Sequence, residues 1–260
     1  MEQPPVPWNL KDVLMTFIYT AALCMVIVFW IMLVVGIAGV FWQPAIGEAA
    51  ASAREALRDV PDAYFIVVFY AALYLAFSRC ILRRYDLDVR SVFFTSSAPL
   101  QDVWAGVKGY LVFAGGLVLL VAVLFLGAAL IDVFLGTQSM EGVEVYFIAS
   151  HLEQMEVTPL AKHAVGVLLI LVLGPFFEEV LFRGCLYRAL RRRFTFWPAS
   201  VLASLGFAVV HGYLFLFLFV FLMGMVLTVL YERRGNLLAP LTFHILNNAV
   251  VVVFFFLSLK

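Results

Sequence analysis

HAVGVLLILVLGPFFEEVLFRGCLYRALRRR, residues 163–193, decides how this chain is read. Two adjacent carboxylates, Glu178 and Glu179, stand inside a run of Leu, Val and Phe that exceeds the roughly 20 apolar residues needed to cross a bilayer. Pro175 predicts a kink or break in that helix. A charged side chain at the centre of a spanning helix costs roughly 2.5–3.5 kcal/mol on insertion scales, so such groups usually have a task. Glu179 and Arg183 are four apart and share a helical face, acid before base, whereas Glu178 lies about 100° around the helix. One carboxylate thus reads as half of a structural ion pair. The other reads as a free, desolvated base that can take a proton from water.

The rest of the chain supplies membrane to match. Of 260 residues, 65% are hydrophobic and 13% charged, with a mean hydropathy of +1.04. Soluble domains have about 45–50% and about 25%, so a soluble globular protein is excluded. Further apolar runs extend over about 13–42, 63–82, 107–135, 197–210, 213–231 and 237–259. Counting 163–193 as one kinked helix or as two, the expectation is an all-α, polytopic membrane bundle of seven to eight transmembrane helices. Residues 1–160 form N-terminal helices and loops, and 161–260 the core that carries the chemistry. The first run is too long for the core of a signal peptide and reads as an uncleaved span. Pro4, Pro5 and Pro7 suggest a short extended lead.

The 17 basic residues balance 17 acidic ones, which leaves no electrostatic footprint for nucleic acid. Arginines gather after three runs: Arg79, Arg83, Arg84 and Arg90; Arg188, Arg191, Arg192 and Arg193; Arg233 and Arg234. Alternating crossings put all three clusters on one side, expected to be cytoplasmic together with the N-terminus. Acidic loops at 43–62 and 137–161, and Lys260, fall on the other side; 47–60 reads as a short surface helix. The three cysteines, Cys24, Cys80 and Cys185, have no disulfide or zinc-knuckle spacing and read as small apolar residues. Phe215–Phe221 reads as lipid-facing packing. Gly115 and Gly116 allow close helix contacts, but the sequence does not fix an oligomeric state.

Two further polar features lie in the apolar helices. One is Phe207-Ala-Val-Val-His211, the other His244-Ile-Leu-Asn-Asn248, where His244 and Asn248 share a face. His151 and His163 sit in a loop and at a span entrance, where imidazoles are ordinary. Each feature alone suits interhelical packing. Together, a carboxylate, two imidazoles and a carboxamide on three helices are the parts for activating a water and stabilising an oxyanion.

Glu-Glu-x-x-x-Arg (178–183), Phe-x-x-x-His (207–211) and His-x-x-x-Asn (244–248), in this order, resemble the CPBP family. That family comprises the type II CAAX prenyl proteases and the bacterial bacteriocin-processing and Abi proteins. The resemblance covers about 170–255; residues 1–160 agree only in hydropathy. It implies an eight-helix intramembrane glutamic protease, cleaving near the C-terminus of membrane-associated, in eukaryotes prenylated, substrates. Transferred by position, Glu178 and His211 bind and deprotonate the attacking water, and His244 and Asn248 form the oxyanion site. Glu179, Arg183 and Phe207 are supporting residues.

Distances along the helices place Glu178 roughly 15 Å and His244 about 10 Å from the basic side. His211 lies about 21 Å past Trp197, so its helix must tilt or start deeper. A Glu and two His also fit a catalytic zinc site. The chain lacks His-Glu-x-x-His, and its imidazoles come from different helices, so the expectation is metal-free chemistry without a cofactor. The other alternative is a non-catalytic membrane immunity protein or chaperone, or a proton-coupled protein. The expected partners are a peptide or protein substrate in the membrane and the bilayer, which is expected to be a bacterial cell membrane.

Overall fold

The structure, a computed structural model, describes residues 6–42, 61–135, 164–212 and 216–258. The surface helix at 47–60, the acidic loop at 137–161, nearly all of the one at 43–62, His151, His163, Pro4, Pro5, Phe215 and Lys260 lie outside the described residues. Among those described, the fold is all-helical, 86% helix and no strand. In chain order the helices are α1 (Leu10–Trp42), α2 (61–82), α3 (Val89–Phe93), α4 (Pro99–Leu135), α5 (164–191), α6 (Phe196–His211), α7 (Phe217–Arg234) and α8 (Leu238–Ser258).

Seven of these correspond to the seven apolar runs; α3 is a short addition that the hydropathy does not announce. It has a packing purpose. Phe93 is fully buried against Trp8 and Phe77, and its carbonyl accepts the Leu237 N–H at 2.9 Å. The three residues between α7 and α8 are otherwise held by Asn236, whose amide donates to Asp102 at the start of α4. Asp102 also accepts from Ser96 and Arg234. This network explains why α4 starts at Pro99, eight residues before its apolar run: the polar first turn is anchored rather than solvated.

Helix α5 differs from the expected kink. It runs unbroken from 164 to 191, but π-helical at Leu169–Leu173 and again at Val180–Tyr187, with one α-helical turn, Gly174–Glu179, between them. Pro175 sits in the first residues of that turn. Its missing N–H and ring would clash with a regular ladder, and the wider i→i+5 turns before it absorb the misfit.

The three arginine clusters lie at one end of the bundle, tied there by direct contacts. Arg84 pairs with Asp12 at 3.0 Å, Arg192 donates to the Trp8 carbonyl at 2.8 Å, and Arg191 pairs with Glu232 at 3.0 Å. Trp8, in the lead before α1, is fully buried and donates to the Cys185 carbonyl at 3.2 Å. No cysteine is disulfide-bonded; Cys80 and Cys185 are buried, as small apolar residues would be.

Leu10–Ile27 and Pro99–Leu130 are long and apolar enough to cross a membrane; Val67–Leu82, Phe196–His211 and Leu238–Phe254 are apolar but shorter. The others are interrupted by charge: α5 carries Glu178, Glu179 and Arg183 midway, and α7 ends on Glu232, Arg233 and Arg234. From residue 107 to 130 no residue of α4 is buried, and Val112, Val118, Leu124 and Leu126 point outward, an apolar surface that water would penalise. Phe217, Phe219 and Phe221, expected to face lipid, are half-buried and pack against the core around Phe207 and Phe243, while Leu218 between them is exposed. Aromatic area is spent here on helix contacts, as in the Phe113–Phe219 ring pair at 5.4 Å.

Candidate active site

Glu178 stands in the α-helical stretch between the two π stretches of α5, and three side chains from three other helices converge on it. Its Oε1 accepts a hydrogen bond from the Tyr70 hydroxyl of α2 at 3.3 Å. Its Oε2 lies 3.6 Å from His211 Nε2, at the last residue of α6, and 3.7 Å from His244 Nε2, in the second turn of α8. Gly212, at φ 70°, ends α6 in the left-handed conformation directly after His211, which fixes where that imidazole is presented. The depth mismatch expected for His211 therefore does not separate it from Glu178.

The ring nitrogens facing away from Glu178 settle the tautomers. His211 Nδ1 lies 2.7 Å from the Phe207 carbonyl, which can only accept, so Nδ1 carries the hydrogen. His244 Nδ1 lies 2.8 Å from Glu179 Oε1, again an acceptor. In the neutral imidazoles both Nε2 atoms then present lone pairs toward the same carboxylate oxygen. Separations of 3.6 and 3.7 Å are too long for direct hydrogen bonds but suit a bridging water, whose hydrogens such acceptors can take.

The neighbouring carboxylate has a different setting. Glu179 is fully buried and its Oε1 accepts from Arg183 Nη1 at 2.9 Å as well as from His244. Arg183, also buried, donates through Nη2 to the Gly224 carbonyl at 3.2 Å and lies 4.2 Å over the Phe207 ring. Phe207 thereby backs both Arg183 and His211, whose ring centroid is 4.4 Å away. Glu178 and His211 are each 24% exposed, against 0% and 2% for Glu179 and His244, so solvent reaches the first pair only. The ion pair predicted from helical spacing is present, and Glu179 has a second task that spacing did not reveal: it orients His244.

Asn248 is one turn beyond His244, but its amide donates to the Ile170 carbonyl at 3.0 Å and its Oδ1 accepts from Asn247 at 3.3 Å. Ile170 belongs to the first π stretch, where carbonyls leave the regular ladder and need other donors. Tyr70 was not legible in the sequence, being 108 residues from Glu178. It stacks on Phe177 at 5.5 Å, and a Cβ on Gly174 would meet its hydroxyl oxygen at 2.7 Å, so that glycine makes room for it.

Residues 160–250 match the model of the family described as type II CAAX prenyl endopeptidase Rce1-like. That segment is similar to this family. It contains Glu178, Glu179, Arg183, Phe207, His211, His244 and Asn248, while Tyr70 lies outside it. Similar curated proteins include "Putative membrane peptidase YdiL" of Bacillus subtilis (strain 168), 32% identical over 82 residues, 32% of this chain and 34% of that one. An "Uncharacterized 24.3 kDa protein" of Escherichia coli is 35% identical over 83 residues, 30% of this chain and 38% of that one. The similarity thus spans about a third of the length of these relatives. No solved structure matches the chain significantly. With the outward apolar face of α4, the Rce1-like segment places the chain among membrane proteins.

Proposed function

We propose that the chain is an intramembrane endopeptidase of the CAAX type, hydrolysing a peptide bond with a water activated by Glu178 and His211. The observation that carries this reading is the convergence of His211 Nε2 and His244 Nε2 on Glu178 Oε2, at 3.6 and 3.7 Å, where solvent reaches Glu178 and His211. A water between these acceptors donates to Glu178 and to His211. Glu178 removes one proton as the water oxygen bonds to the scissile carbonyl carbon. The carbonyl oxygen becomes an oxyanion, which needs donors. His244 serves in its imidazolium form, since its Nδ1 hydrogen is committed to Glu179, and Asn248 offers the amide hydrogen that Ile170 does not take. The C–N bond then breaks, the proton held by Glu178 passes to the leaving nitrogen, and the proton left on the former water oxygen passes through His211 to the same amine. A carboxylate and an ammonium are the products, and the site returns to its starting state.

The reading is metal-free, with zinc as the competing form, which Glu178, His211 and His244 would hold. The catalytic core lies within 161–260, in a polytopic bundle of seven to eight spans whose arginine-rich end faces the cytoplasm, by the preference of basic residues for that side. The substrate is a membrane-associated protein cut near its C-terminus, in a bacterial cell membrane; both relatives are from bacteria, and one is named as a membrane peptidase. The test is mass spectrometry of free, prenylated and transmembrane-tail peptides after incubation with the chain in nanodiscs, with and without chelator. Cuts that persist in chelator support the reading and reveal the substrate class. Cuts abolished by chelator and restored by zinc replace it with zinc catalysis; uncut peptides of all three classes favour the immunity or proton-coupled alternative.

A further inference from the structure

A cavity of about 350 Å³ opens between α1 and α2 at the arginine-rich end, remote in sequence from the residues around Glu178. Asp12, Met15 and Tyr19 line it from α1, Arg79 and Cys80 from the last turn of α2, and Arg83 and Arg84 from the turn that follows α2. Three guanidinium groups therefore meet one carboxylate, and that carboxylate is already satisfied. Asp12 is buried, pairs with Arg84 at 3.0 Å, and accepts from the Tyr85 hydroxyl at 2.7 Å and the Asn9 N–H at 2.9 Å. Among the described residues no carboxylate pairs with Arg79 or Arg83. The cavity thus has a surplus of planar, forked donors at the level where an apolar helix surface gives way to a polar end.

We propose that this cavity binds a phosphate group, supplied by the headgroup of an anionic phospholipid. Guanidinium forks suit phosphate oxygens, and basic pockets between spans on the cytoplasmic side are suited to such headgroups. The surface leading from the cavity favours a lipid over a free phosphate. Leu14 and Ile18 on α1 and Tyr74 and Leu75 on α2 are about half exposed, one turn from the lining residues, and give acyl chains an apolar track. The phosphate is held by Arg79 and Arg83, while Arg84 remains with Asp12. The site rests on the membrane location of the chain and not on its peptidase activity.

The test is native mass spectrometry of the whole chain released from nanodiscs of phosphatidylcholine with one-fifth as much phosphatidylglycerol, repeated with inorganic phosphate in competition. The expected result is one retained phosphatidylglycerol per chain, not displaced by phosphate. In the double variant Arg79→Gln/Arg83→Gln retention falls about tenfold or more, since each arginine is worth about 1 kcal/mol toward an anionic lipid. Arg90→Gln, an exposed arginine outside the cavity, retains the lipid as the parent does. Displacement by millimolar phosphate, with binding still lost in the double variant, would keep the phosphate site but reassign it to a soluble ligand. Equal retention of both lipids, or unchanged retention in a folded double variant, would overturn the proposal.

Discussion

Glu178 and Glu179 are adjacent and chemically identical, yet they should respond in opposite ways to the same substitution. Glu179→Gln leaves Arg183 buried without its counter-charge, which costs about 3–5 kcal/mol in comparable pairs, and a marked fall in thermal midpoint in detergent is expected. Glu178 has no arginine partner and is a quarter exposed, so Glu178→Gln should leave the midpoint within a degree or two, on the order of 0.5 kcal/mol. Equal melting of the two variants would contradict the division of labour. Tyr70→Phe keeps the stack on Phe177 and deletes only the hydroxyl; loss of one hydrogen bond of about 1 kcal/mol predicts a roughly fivefold fall in kcat/KM with an unchanged melting curve. An unaltered rate would mean that Tyr70 does not position the carboxylate. The sequence pointed to Glu178 and to the Glu179–Arg183 pair because four-residue spacing is local. It was silent on Tyr70 and on the Glu179–His244 bond because those join distant helices, and no periodicity encodes them.

Helix boundaries followed hydropathy closely where lipid or core decides them: α2, α5, α6 and α8 begin and end within about two residues of their apolar runs. They departed where polar side chains have partners inside the protein, as at Asp102 on α4 and Glu232 on α7. The π stretches of α5 were illegible for another reason. They depend on how Pro175 and the close approach of Tyr70 at Gly174 are accommodated together, which is tertiary information. Gly174→Ala puts a Cβ 2.7 Å from the Tyr70 hydroxyl oxygen and 3.1 Å from the Leu169 carbonyl, so it should lower activity at least as much as Tyr70→Phe and also cost stability, about 1–3 kcal/mol for overpacking. The double variant with Tyr70→Phe, which removes the offending oxygen, should recover part of that stability. Additive losses would show that the two residues do not share this space.

The molecule as a whole is polarised, with its arginines at one end and its candidate site enclosed by α2, α5, α6 and α8. Cysteines introduced at Arg90 and Arg193, both exposed, in a Cys24→Ser background should react with an impermeant maleimide only after the cells are permeabilised. Labelling of intact cells would invert the proposed orientation. Residues 1–160, which agree with the family only in hydropathy, nonetheless contribute Tyr70 to the site and the α4 surface that packs on α8; Gly106 there lies against Ala239 and Thr242. The central claim is that Glu178, flanked by two imidazoles, activates the water. It is tested most directly by the single-turnover rate of peptide cleavage in nanodiscs for the parent chain and Glu178→Gln, at matched protein and matched thermal midpoint. A loss of at least about 10³-fold is expected, the scale of removing a general base together with its bound water. Cleavage by the glutamine variant within a few-fold of the parent would contradict it.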